Sequence, residues 1–164
     1  MQYNKPTTLS HLLSHKYPKF LEKLDEVIVS EGGRYARKLG DNVVVLNLDK
    51  VAIAQKMASI PSSMDITFGV ADENGRNAKM VLVDFKFRQE KVSNIGKADL
   101  EDKVSGSKML MENTPAILPQ YYFVFPSNLK HQAISHIARN LFKNKPNIAY
   151  KAVDIGELIT IFLQ

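Results

Sequence analysis

The amino-acid sequence predicts an α/β fold, a central mixed β-sheet flanked by helices. Some segments repeat apolar residues at three- and four-residue spacing, others are β-branched runs that alternate at every second residue, and the two kinds are interleaved along the chain. With 164 residues, 45% of them hydrophobic and 24% charged, the chain has enough apolar material for one core, so a single domain over residues 1–164 is expected.

In order along the chain, residues 1–18 are polar and carry His11 and His15, which suits an arm or a short helix. From Lys19 the spacing of Phe20, Leu21, Leu24, Val27 and Ile28 predicts a helix that stops at Gly40. Asn42 to Leu48 is β-branched and predicts a strand, and Asp49 to Ser59 reads as either a short helix or a continuation of that strand. Pro61, Ser62 and Ser63 break the pattern before a strand from Met64 to Val70. The turn-forming run Asp72-Glu73-Asn74-Gly75-Arg76-Asn77 then joins it to a second strand, Lys79 to Arg88, as a hairpin. Asp99 to Asn113 predicts a helix capped by Asp99, Gln120 to Phe125 a buried strand, and Leu129 to Lys143 an amphipathic helix. Tyr150 to Val153 is a further strand, and an Asp154-capped run, Glu157 to Leu163, is helix or strand.

Composition narrows the chemistry. The absence of cysteine removes disulfides, thiolate metal sites and cysteine nucleophiles. Lys and Arg number 22 against 17 acidic residues, and the resulting net charge of +5 tilts the expected partner toward polyanions, nucleic acid first. Residues 1–13 lack a basic region followed by an apolar run, and no stretch approaches bilayer-spanning length, so a cytoplasmic protein without membrane contact is expected. Gly-rich phosphate loops, serine nucleophile elbows and dinucleotide fingerprints are absent from the sequence.

The chemistry concentrates in Val81-Leu82-Val83-Asp84-Phe85-Lys86-Phe87. Side chains alternate across a strand, so Asp84 and Lys86 share the face opposite Val81, Val83, Phe85 and Phe87. A strand this apolar belongs at the centre of a sheet, where a carboxylate and an ammonium must be paired, bound to metal or at an exposed end. Hairpin pairing would bring Asp65 beside Asp84. Converging carboxylates repel unless a cation lies between them, and Mg²⁺ is held by one or two carboxylates with water and a phosphate oxygen. A nearby lysine can orient the attacking water or stabilise charge on the scissile phosphate.

A helix, a strand, a hairpin with an acid on its first arm and Asp-x-Lys on its second, then a helix and a strand: this order, over about residues 19–125, resembles the PD-(D/E)XK nuclease superfamily. The resemblance implies a restriction-endonuclease-like αβββαβ core in which Asp65 and Asp84 bind Mg²⁺ or Mn²⁺ and Lys86 positions the water. Met64 stands where the motif has proline. The family often adds a glutamate from its first helix, and Glu31 falls in the apolar stripe of Phe20, Leu24 and Val27, with Glu22 and Glu26 on the opposite face. Gly32-Gly33 beside it either permits close backbone approach or ends the helix, leaving Glu31 at an exposed terminus; both readings stand.

Other residues have a weaker claim. Lys103 and Lys108 lie on the helix from Asp99, where the family commonly places a basic residue, but the surrounding Asp99, Glu101 and Asp102 fit a solvated face. Arg34, Arg37 and Lys38 form a small basic cluster able to meet phosphates. His11 and His15 have metal-compatible spacing with no third ligand and read as exposed, and Tyr121-Tyr122-Phe123 reads as core. The expected function is a metal-dependent nuclease acting on DNA or RNA, as a homodimer or a subunit of a larger system. The alternative is a protein- or nucleic-acid-binding module that keeps the fold without turnover.

Overall fold

The computed structural model describes residues 1–34, 39, 42–112 and 115–164. Among these the chain opens with a short strand, β1 (Gln2–Tyr3), and two helical turns, α1 (Lys5–Ser10) and α2 (Leu12–Lys16). Asn4 starts α1 because its side-chain oxygen accepts the Thr7 N–H at 2.9 Å, and His11 starts α2 by accepting the Leu13 N–H at 3.1 Å. The segment is more than an arm. The Asn4 N–H donates to the Gly69 carbonyl, and Thr8 Oγ1 accepts the Gly69 N–H, each at 2.8 Å.

The helix expected from Lys19 begins later. Leu21–Lys23 is a strand, β2, and α3 covers Leu24–Ser30. β2 lies antiparallel to β3 (Val44–Asn47) with Glu22 opposite Val45, so ladder pairing overrides the helical spacing of Phe20, Leu21 and Leu24. Gly40 lies outside the described residues. α3 ends ahead of Gly32, whose φ of 89° is open to glycine at little cost.

β3 runs directly into α4 (Leu48–Ala54), capped by Asn47 through the Lys50 N–H at 3.0 Å, so the first half of Asp49 to Ser59 is helix. β4 (Ile66–Ala71) and β5 (Lys79–Phe85) form the expected hairpin, and the Asp72 carboxylate accepts the Asn74 and Arg76 N–H groups in its turn. α5 (Lys97–Met111) begins ahead of Asp99, which takes part in the cap from the third helical position by accepting the N–H of the N-cap residue, Gly96, at 2.9 Å. Its expected end, Asn113, lies outside the described residues. β6 (Ile117–Val124) starts earlier than expected. The stretch from Leu129 divides into α6 (Lys130–Ser135) and a π-helical turn over His136–Leu141. β7 (Tyr150–Val153) is followed by α7 (Ile155–Phe162), so the final run is helix. Asp154 accepts the Glu157 N–H at 2.9 Å, and Glu157 accepts the Asp154 N–H at 3.2 Å.

The strands form one mixed sheet in the order β2-β3-β4-β5-β6-β7, with β1 also paired to β4. Each neighbouring pair from β2 to β5 is antiparallel, whereas β5, β6 and β7 run parallel. Helices on the two faces of this sheet make the chain α/β, as the pattern predicts, and α3-β3-β4-β5-α5-β6 follows the expected αβββαβ order with α4 inserted between β3 and β4. Val81, Val83 and Phe85 pack with Leu24, Val27 and Ile28 of α3 and with Leu158 and Phe162 of α7. Met80 and Leu82 lie on the other face, against Leu100 and Val104 of α5. Continuing that alternation by two residues, from Leu82, turns Asp84 toward α5. Among the described residues no helix is long and apolar enough to cross a membrane.

Candidate functional site

Strand register builds the centre. β4 and β5 pair Ile66 with Val83, so one step along the same ladder Asp65 stands opposite Asp84. Asp65 Oδ2 accepts the Phe85 N–H at 2.6 Å, which ties its carboxylate to the neighbouring strand. Asp84 is 0% exposed and Asp65 5%, so two carboxyl groups face each other away from water, an arrangement that needs compensation.

Two lysines supply it. The Lys103 ammonium on α5 lies 2.5 Å from Asp84 Oδ1 and 3.8 Å from Asp65 Oδ1, and the Lys86 ammonium lies 2.7 Å from Asp84 Oδ2. Lys103 is aimed by the way α5 docks. Ser107 Oγ accepts the Met64 N–H at 2.7 Å and donates to the Lys103 carbonyl at 2.8 Å, which links the residue before Asp65 to the turn that carries Lys103. Gly106 lets the helix approach, since a Cβ there would sit 1.7 Å from the Ser62 carbonyl oxygen.

Burial drives the electrostatics. Removal from water, and then the Asp84 charge, push the Asp65 carboxyl up to about 8, although Lys103 and the Phe85 N–H pull the other way. For Lys103, burial disfavours the ammonium, but Asp84 and Asp65 outweigh it and hold its pKa above the ordinary lysine value. Glu31 is raised by burial and then by Asp49, with Arg88 opposing and Asp84 adding to the shift.

Asp84 Oδ2 is buried and receives no hydrogen bond, because the close Lys86 ammonium is not aligned to donate one. A buried carboxylate oxygen beside a second carboxylate suits a hard cation held by two protein ligands, the usual provision for Mg²⁺, in competition with the Lys86 ammonium 2.7 Å from it. Among the described residues no group of three or more His, Asp or Glu side chains is arranged to hold an ion. A groove of about 710 Å³ between β7 and α7, lined by Tyr122, Lys151 and Thr160 among others, shares no residue with this cluster.

No family model, curated protein or solved structure matches the chain.

Of the residues singled out from sequence, Asp65, Asp84 and Lys86 come together. Glu31 is the C-terminal cap of α3, so the glycines do end the helix, yet it is half-buried and its ionisation responds to Asp84. Lys103 belongs to the cluster and not to a solvated face, whereas the Lys108 ammonium sits 4.9 Å from the centre of the Tyr121 ring. Asp49 was missed. Its charge acts on Asp65, Glu31 and Lys103, and its Oδ1 accepts the Ser63 hydroxyl at 2.6 Å. The available signal was an acid just past a strand end, and pairing makes it matter: the Leu48 N–H donates to the Asp65 carbonyl at 2.9 Å.

His11 is buried, contrary to the sequence reading, because it caps α2 from beneath; His15 is exposed. Tyr121, Tyr122 and Phe123 are core residues. Arg34 is exposed, and Arg37 and Lys38 lie outside the described residues.

Proposed function

We propose that the chain is a metal-dependent nuclease that hydrolyses phosphodiester bonds of DNA or RNA. The observation that carries the reading is the opposition of Asp65 and Asp84 across β4 and β5, with Asp84 Oδ2 buried and without a hydrogen bond. Asp65 and Asp84 would hold Mg²⁺ or Mn²⁺, and such an ion supplies Lewis-acid polarisation of a phosphodiester. Lys86 retains 15% side-chain exposure with its ammonium against Asp84, which suits it to orient a water or to balance charge that develops on the scissile phosphate. Lys103 balances the paired carboxyls from the helix side, and Glu31 adds negative charge at the end of α3. The net charge of +5 agrees with a polyanionic substrate. The resemblance to the PD-(D/E)XK superfamily adds support through the αβββαβ order and these three residues.

A second reading, a binding module of this fold without turnover, draws on Lys86 and Lys103, whose two ammonium groups balance the two carboxyls with no ion required. One experiment separates the two. Plasmid, linear and single-stranded DNA and RNA are incubated with the protein and Mg²⁺ or Mn²⁺, beside Asp84→Ala and Lys86→Ala variants. The nuclease reading expects cleavage that falls on the order of a hundredfold in each variant. Intact substrates, together with no divalent-ion binding by calorimetry, would leave the binding module.

A further inference from the structure

Past the ends of β5 and β6, where Phe87 and Ile155 pack with the α3 and α7 side of the sheet and not with the α5 face that carries Asp84, is a concavity of about 290 Å³ whose lining includes Gly33, Arg34, Phe87, Pro126 and Ser127. Its walls continue the elements that build the site. Phe87 follows Lys86, Gly33 lies just after Glu31, and Ser127 follows β6, whose Val124 carbonyl accepts the Lys86 N–H at 2.7 Å. Phe87 is half-buried and held in place: its ring stacks on Phe85 at 5.3 Å between centroids, with 15° between the planes. Gly33 packs against the ring so closely that a Cβ there would lie 2.6 Å from it. Arg88 is anchored by donating from Nη2 to the Ser30 carbonyl at 2.7 Å, and Arg34 is exposed at the rim.

We propose that this concavity is a nucleobase subsite, which takes one unpaired base on Phe87 while Arg34 at its rim holds an adjoining phosphate. The choice of ligand rests on the nuclease reading; the geometry does not. A fixed aromatic ring, an apolar floor and a guanidinium group at the rim are the components that bind single strands without sequence readout, by stacking and phosphate attraction. The cavity is at the small end for a ligand site, which suits one flat ring system and leaves no room for a base pair. A base within a duplex must therefore be unstacked and unpaired before it enters, so single strands and frayed ends are favoured over closed duplex.

The test is binding of the full chain, in EDTA to prevent turnover, to fluorescent oligothymidylate, oligouridylate and a closed hairpin duplex by anisotropy. The first two probes distinguish DNA from RNA as the source of the base. Wild-type protein is expected to prefer a single strand. Phe87→Leu keeps apolar bulk without the flat ring and should weaken that binding about tenfold, with Phe87→Tyr restoring it and duplex affinity unchanged. Ser127→Glu, an exposed change at the rim, should lower single-strand affinity as well and serves if Phe87→Leu does not fold. Equal affinity of the wild type for single strand and duplex, or single-strand affinity untouched by these variants, would overturn the subsite. Cleavage that needs Asp84 alongside Phe87-independent binding would sink the subsite and spare the nuclease. Phe87-dependent binding without metal-dependent cleavage would do the reverse.

Discussion

Replacing Asp65 by asparagine should stabilise the fold while abolishing the proposed cleavage. Burial and the Asp84 charge raise the Asp65 carboxyl to about 8 in the folded chain, against 3.8 for the ordinary group. Between those values the native state binds a proton that the unfolded state has released. Stability therefore falls as pH rises through this window, by about 1.4 kcal/mol per pH unit where the slope is full. Summed from the lower value to pH 7, the loss is roughly 4 kcal/mol. Asparagine is already neutral and its oxygen can still accept the Phe85 N–H, so Asp65→Asn avoids that loss. Its advantage should be near zero at pH 4, roughly 4 kcal/mol at pH 7 and level above pH 8. Urea unfolding in EDTA across this range measures it. An advantage that does not change with pH, or a variant less stable than wild type at pH 7, would refute the account of opposed buried carboxyls.

Gly106→Ala should destabilise the fold by about 2 kcal/mol, because the new Cβ meets the Ser62 backbone oxygen and neither backbone yields readily. Thermal melts report the cost, and an unchanged melting temperature would contradict the close docking that aims Lys103. His11 behaves oppositely to Asp65 in pH. Burial lowers its pKa while its Nδ1 accepts the Leu13 N–H, so the unfolded chain takes up a proton that the folded chain refuses, and stability falls as pH drops through about 6.5. His11→Asn keeps a capping acceptor and should remove that acid-side slope; a slope that persists in the variant would place its origin elsewhere.

The central strand was legible because its signal is local. The alternation in Val81 to Phe87 separates two faces, and the turn after Asp72 returns the chain as a hairpin, which is enough to bring Asp65 toward Asp84. Leu21–Lys23 was misread because the spacing of Phe20, Leu21 and Leu24 satisfies a helix locally, while the partner that makes it a strand, β3, lies well along the chain. Lys103 was hidden for a related reason. Amid Asp99, Glu101 and Asp102 it has the pattern of a solvated face, and only contacts from Gly106 and Ser107 to residues before Asp65 rotate it onto the acids.

By itself the sequence determined the α/β class, the hairpin, and the common face of Asp84 and Lys86, all consequences of side-chain periodicity and turn chemistry over a few residues. Tertiary structure alone decided that Lys103 bridges both carboxyls, that Asp49 and Glu31 contribute to the field around them, and that Phe87 lines a cavity beside Lys86. The physical reason is distance along the chain. These relations come from packing between segments far apart in sequence, where burial fixes both charge and orientation, and no local pattern records which segments will meet.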